Sequence, residues 1–224
     1  MTVERELLSA AGRRSTYTFT VPSGGTLWGN LQYVNTLTSS FTVSPSTSGG
    51  SATTSTLAGL SGGNWSLSRL PSSTWLNANS FYYWWNGNAG SWTYGGTFSI
   101  GFFMVCTSST ASSGSAIIAN WVNNIEAWGM LSNGSNNVYY EYNGASKTFT
   151  LNQVYWVNLV CNGSNITMYV DDVSSSVGTT AYKTGGSGYL SLFNYYSVGS
   201  YRPAGVYINN LKIYTGTSSK FGPV

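Results

Sequence analysis

Residues 153–172, QVYWVNLVCNGSNITMYVDD, read as a strand, a tight turn and a second strand. Trp156 to Val160 form an apolar run, and Asn162-Gly163-Ser164 supply residues suited to a two- or three-residue turn. Beyond the turn the period is two, with Ile166, Met168 and Val170 on one face and Thr167 and Tyr169 on the other. Asp171 and Asp172 then close the second strand, where a turn makes both of them solvent-facing.

Outward from this hairpin, further strands are predicted at Phe81 to Trp85, Thr97 to Val105, Ala116 to Trp121, Asn137 to Tyr142, Thr148 to Leu151, Tyr189 to Phe193 and Gly205 to Tyr214. Tyr17-Thr18-Phe19-Thr20-Val21 alternates as a strand until Pro22-Ser23-Gly24-Gly25 breaks it. The run 44–51, SPSTSGGS, reads as a flexible loop or linker. Many short strands with Gly, Asn and Ser between them, and no intervening helices, predict an antiparallel β-sandwich. In the last strand Val206 and Ile208 share a face but the next apolar pair is Leu211 and Ile213, so a β-bulge is expected at Asn209-Asn210.

The hairpin, with Gly96-Thr97-Phe98-Ser99-Ile100-Gly101-Phe102-Phe103 before it and Gly205 to Tyr214 after it, resembles the laminin-G and pentraxin-like branch of the concanavalin A-like lectin/glucanase superfamily. The resemblance covers about residues 96 to 214 and implies an all-β, jelly-roll, concanavalin A-like sandwich, with the first of these segments as a central strand and the last as the closing one. Asp172 stands where the family usually has Gly, and Asn209 where it often has Asp. The second departure removes a carboxylate that helps bind calcium in some relatives, so no calcium site is carried over.

Charged residues are 7% of the chain against roughly 25% in ordinary soluble domains, while aromatics reach 16%. Solubility therefore rests on hydroxyl and amide groups, a composition that suits secreted, adhesive or virion-surface proteins. The net charge of +3 is spread over scattered residues, with Arg13-Arg14 the only basic pair, so no nucleic-acid footprint is visible. No segment approaches the ~20 apolar residues of a membrane span, and the first residues, MTVERELLSAAGRR, lack a signal-peptide core. Residues 1–14 are read as a short arm in which Leu7, Leu8, Arg13 and Arg14 dock on another subunit, and residues 15–224 as the sandwich domain. Cys106 and Cys161 each end an apolar run and fit either one disulfide or two free, buried thiols.

Glycoside hydrolysis needs two carboxyl groups at a set separation, and the superfamily's glucanases resemble one another in an acid-rich strand that this chain lacks. Outside the arm the acids are Glu126, Glu141, Asp171 and Asp172, and no histidine is present to serve a triad or zinc. No catalytic residues, metal or cofactor are implied. Binding is better supplied: aromatics in Asn- and Gly-rich surroundings can stack on sugar faces while neighbouring amides hydrogen-bond. Trp84, Trp92, Tyr94, Tyr139, Tyr195 and Tyr196 are the candidates, whereas Trp121 and Trp156 read as core. The function expected is a non-catalytic, virion-associated module, on a phage fibre, tail or capsid surface, that recognises host glycans. Its partners would be a glycan or other host-surface ligand, other virion proteins and further copies of itself, at the virion surface or outside the cell. A purely structural decoration protein and, more remotely, a carbohydrate-active enzyme are the alternatives.

Overall fold

A computed structural model describes residues 16–31, 44–45, 53–77, 83–86, 96–108, 116–122, 125–132, 138–141, 146–163, 165–171, 173–178, 188–192 and 205–224. Its strands in chain order are β1 (Thr26–Leu31), β2 (Ser44–Pro45), β3 (Thr53–Thr56), β4 (Thr74–Asn77), β5 (Tyr83–Asn86), β6 (Thr97–Cys106), β7 (Ala116–Val122), β8 (Ile125–Ser132), β9 (Val138–Glu141), β10 (Ser146–Thr148), β11 (Val154–Asn162), β12 (Ile166–Val170), β13 (Val173–Gly178), β14 (Gly188–Leu192) and β15 (Val206–Thr215). The helical turn among the described residues is a 3-10 turn at Leu67–Arg69.

Two antiparallel sheets make the sandwich. The larger runs β13-β12-β11-β6-β15-β4-β3, with β1 also paired to β15, and the smaller runs β10-β9-β8-β7-β14-β5-β2. The deciding hairpin is β11-β12, in register from Val157 opposite Val170 to Cys161 opposite Ile166. Its second strand alternates as expected, with Ile166, Met168 and Val170 buried and Thr167 and Tyr169 half-buried. β6 is central, hydrogen-bonded to β11 on one side and β15 on the other. The expected bulge is present: the β15–β6 register shifts between Asn209 and Lys212, and Asn210 takes a φ of 56°. Val206, Ile208, Leu211 and Ile213 are all buried as a result. Asn209 donates through Nδ2 to the main-chain oxygens of Ser72 at 2.8 Å and Thr74 at 3.1 Å, which an aspartate could not do.

β6 and β11 are buried along almost their whole length on both faces. One face, with Ile100, Phe102 and Met104, belongs to the sandwich interior. The other carries Phe103, Val105, Val154 and Trp156 and is covered by Tyr17, Phe19, Trp65, Leu70 and Phe221. Ring contacts join this cover to the sheet: Phe103 lies 5.1 Å from Trp156, Phe19 5.2 Å from Trp156, and Phe221 5.6 Å from Trp156. Each fully buried Phe here contributes roughly 1.5–3 kcal/mol.

Several expectations are corrected. Tyr17 to Val21 is not a ladder strand; it makes one bridge, Phe19 to Pro223, and its alternation reflects rings laid onto the outer face of the larger sheet. Within the supposed linker, Ser44 and Pro45 form edge strand β2 against Trp84 and Tyr83, an edge being where a proline is tolerated. Residues 26–31, N-terminal to that run, pair with β15 of the larger sheet. Thr148 to Leu151 divides: the strand ends at Thr148 and Leu151 lies in a turn. β1, β3, β4, β8 and β13 fall outside the predicted strands. Cys106 and Cys161 are both free and buried. They sit on neighbouring strands but near opposite ends, since Cys161 faces Phe98, eight residues from Cys106 and so about 27 Å away along the strand. The arm, residues 1–14, lies outside the described residues.

Gly101 sits opposite Asn158 under the cover, and a Cβ there would stand 2.4 Å from Trp156 Cζ2 and 2.7 Å from Phe221 Cζ. Gly101→Ala is expected to destabilise the fold by about 1–3 kcal/mol, read as a lower midpoint in urea unfolding at unchanged slope. Burial lowers the pKa of Lys212 below its ordinary 10.5. Between that lowered value and 10.5 the unfolded chain binds more protons, so this lysine's contribution to stability rises with pH. The stability of the parent relative to Lys212→Met should therefore increase as pH approaches 10.5, measured by paired thermal melts. Burial raises the pKa of Tyr214 above 10.0, an effect common to both proteins that cancels in the comparison.

Candidate functional site

A cleft of about 260 Å³ opens on the covered face of the larger sheet, where the cover is incomplete. Trp65 comes from the loop after β3, Trp156 and Asn158 from β11, Tyr169 from β12, Thr20 from the first described segment, and Lys220 to Val224 from the segment after β15. Trp156 is 3% exposed and forms part of the floor; Trp65 and Tyr169 are half-buried, and Lys220 and Thr20 are exposed.

Local geometry holds each wall. The Trp65 loop starts with a turn in which Trp65 N donates to Gly62 O at 2.9 Å. A Cβ at Gly62 would lie 1.9 Å from Trp65 O, so only glycine fits there. Ser61 anchors the loop to the sheet: its N donates to Asn152 O at 2.8 Å and its O accepts from Val154 N at 2.9 Å. The far wall is clamped by two side chains of β11. Trp156 Nε1 donates to Phe221 O at 3.1 Å, and Asn158 Oδ1 accepts from Phe221 N at 3.0 Å. Asn158 Nδ2 donates to Ser99 Oγ and Ile100 O, so this buried amide is satisfied at both ends. Lys220 Nζ stands 5.3 Å from the Tyr169 ring centre.

Asp171 ties the cleft together. Its φ is 50°, a left-handed conformation that aspartate tolerates better than most residues. Its N donates to Trp156 O at 2.9 Å. Oδ1 accepts from Trp65 Nε1 at 2.6 Å and from Trp156 N at 2.9 Å, and Oδ2 accepts from Asn64 Nδ2 at 3.1 Å. The expectation that Asp171 merely faces solvent is thus corrected: it is half-buried, and both oxygens fix neighbouring groups. Asp172 lies outside the described residues.

Of the candidate aromatics read from sequence, the two on described strands, Trp84 and Tyr139, belong to the smaller sheet. Trp84 lies on β5, opposite Ser191 and Ser44. Tyr139 lies on β9, opposite Ser132 and Lys147. Three strands stand between β5 and β9, so these two are about 19 Å apart across the sheet. Trp92, Tyr94, Tyr195 and Tyr196 are outside the described residues. Trp156 is core, as expected, and also part of the cleft floor. Trp65, Tyr169 and Lys220 were missed, although Gly62-Gly63-Asn64-Trp65 has the same glycine- and asparagine-flanked aromatic pattern that singled out Trp92. Glu126 and Glu141 are not cross-strand neighbours: Glu141 faces Met130, four residues along from Glu126. Among the described residues no group of three or more Asp, Glu, Cys or His is arranged to hold a metal ion.

No family model matches the sequence, and no curated protein matches it. Solved structures match its shape. Domain 4 of AbnA, a GH43 extracellular arabinanase from Geobacillus stearothermophilus in complex with arabinotriose, has a TM-score of 0.55 at 14% identity, covering 88% of this chain and 95% of that one. The binding domain of botulinum neurotoxin DC in complex with rat synaptotagmin II has a TM-score of 0.54 at 13% identity, over 90% of this chain and 50% of the other. Trypanosoma rangeli sialidase in complex with 2,3-difluorosialic acid gives 0.51 at 14% identity over 65% of this chain, and the match spans 26% of the sialidase. At such identities the likeness is one of fold, a lectin-like β-sandwich.

Asp171→Asn keeps a residue suited to the left-handed backbone, so its effect isolates the carboxylate. A loss of about 1–3 kcal/mol is expected, with a shifted Trp65 indole N–H resonance in NMR spectra as the local readout.

Proposed function

We propose that this domain is a non-catalytic glycan-binding module and that the cleft between Trp65, Tyr169 and Lys220 is its binding site. One observation carries the reading: an aromatic-walled cleft whose nearby carboxylate, Asp171, is spent on orienting one of the walls. A sugar ring presents apolar C–H faces that pack on Trp and Tyr, and hydroxyls that bond to amides, hydroxyls and main-chain groups at the rim. At about 260 Å³ the cleft falls just below the roughly 300 Å³ at which pockets for drug-sized ligands begin, a size suited to one sugar ring.

The non-catalytic character is supported by the chemistry of Asp171. Glycosidic cleavage commonly needs one carboxyl group free to donate a proton and a second to act as base or nucleophile. With Oδ1 held by two N–H donors and Oδ2 by a third, Asp171 is committed to positioning. The arabinanase domain, in complex with arabinotriose and matched along nearly its full length, lends support by analogy of fold. We place the domain in the laminin-G and pentraxin-like branch on the β11-β12 hairpin and the bulged β15. A virion-surface setting, with the arm docking to other structural proteins or to further copies of the chain, rests on the low charge and high Ser, Thr and Asn content.

A glycan array followed by titration calorimetry tests this. Selective binding is expected, with Tyr169→Ala lowering affinity at least about tenfold through lost stacking and Trp92→Ala leaving it unchanged. The reverse pattern moves the site to residues 87–95, and a blank array with the folded protein removes the glycan reading.

A further inference from the structure

Resting on that reading, we propose that the sugar held in the cleft carries a methyl group, on a 6-deoxy carbon or an N-acetyl arm, and that this methyl is the part that reaches the floor. The polar atoms of the floor side chains are already spent inside the protein. Trp156 Nε1 donates to Phe221 O at 3.1 Å, Asn158 Oδ1 accepts from Phe221 N at 3.0 Å, and Asn158 Nδ2 donates to Ser99 Oγ at 3.0 Å and Ile100 O at 2.7 Å. The walls repeat the pattern. Trp65 Nε1 donates to Asp171 Oδ1 at 2.6 Å, which turns the polar edge of that indole toward the carboxylate. Phe221 has both main-chain groups engaged by β11 side chains, Pro223 has no N–H to give, and Val224 exchanges both of its main-chain bonds with Thr18.

The floor is also narrow. Trp156 is 3% exposed, Asn158 1% and Phe221 5%, so together they show a ligand a small apolar spot rather than a ring-sized platform. A pyranose ring packs on Trp65 and Tyr169, which are half-buried, and the substituent directed inward from it meets that spot. A hydroxyl or hydroxymethyl group placed there loses its water and gains no partner from the floor side chains, the costly case for a polar group. A methyl group loses only unfavourable hydration and fills the space. Hydroxyls elsewhere on the ring stay hydrated at the mouth, beside the exposed Thr20. The walls therefore accept many sugars, and the floor selects those with a methyl to bury.

The full chain is titrated by calorimetry with two matched pairs of sugars, L-fucose against L-galactose, which differ by one hydroxyl at C6, and N-acetylglucosamine against glucose, alongside a broad glycan array. The methyl-bearing member of one pair is expected to bind about tenfold or more tightly than its partner, with a negative heat-capacity change on binding. The pair that shows the preference identifies the methyl as deoxy or N-acetyl. Tyr169→Phe, which keeps the ring and removes its hydroxyl, should leave affinity and preference unchanged, because ring contact carries them. Three results each overturn the inference while leaving a glycan-binding cleft in place: a parent sugar that equals or beats its partner in both pairs, array hits confined to sugars without a methyl group, or loss of the preference in Tyr169→Phe. A preference that persists at full affinity in Tyr169→Ala, or a blank array with no binding to any of the four sugars by protein shown to be folded, overturns both this inference and the glycan reading of the cleft.

Discussion

The larger sheet must be buried on both faces, and the described segments outside the sandwich interior answer that demand. Phe103, Val105, Val154 and Trp156 project away from the smaller sheet, and left in water they would expose a broad apolar patch. The chain covers them with irregular backbone from residues 17–21, 57–70 and 217–224. Irregular backbone laid on an apolar surface has no ladder to satisfy its polar groups, so side chains supply the partners. Asn158 and the Trp156 indole bracket Phe221, the Tyr17 hydroxyl accepts from Ser66 N, and Arg69 donates to Val224 O. The cleft is the place where the loop and the later segment fail to meet over the sheet.

That origin explains why the cleft is stiff. Its floor is a central strand of the larger sheet, and one wall is a tryptophan held by a carboxylate that also bonds the main chain of the floor strand. Rigid aromatic surfaces bind with little loss of side-chain entropy, which favours a weakly interacting ligand such as a sugar. A flexible loop presenting the same rings would surrender part of each contact to its own ordering.

The parts of the fold legible in sequence are those where burial is one-sided or local. β12 shows its faces by alternation, and the bulge in β15 shows as a break in phase between Ile208 and Leu211. β6 and β11, buried on both faces, were found by their length and apolar character instead. Alternation misled at Tyr17 to Val21, because a covering segment and a half-buried strand put the same pattern of rings on one side. β4 escaped notice because four residues are too few to show a period, even with Trp75 fully buried. The cleft was not legible: it joins residues 20, 65, 156–169 and 220–224, and the Asp171–Trp65 bond spans 106 positions. Composition marked aromatics near glycine and asparagine as a class, but only tertiary contacts select the member that lines a cavity.

The low charge of the chain gives individual cations more weight than they would have elsewhere. On an ordinary surface, where about a quarter of the residues are charged, neighbours of both signs blur the field of any one lysine. Here 7% are charged, and screening at physiological salt acts over about 8 Å, so the field of any one charged group is felt mainly in its own neighbourhood. In the cleft the contact area comes from the rings of Trp65, Trp156 and Tyr169, and hydrogen bonds to Asp171 and to Phe221 O hold both tryptophans in place.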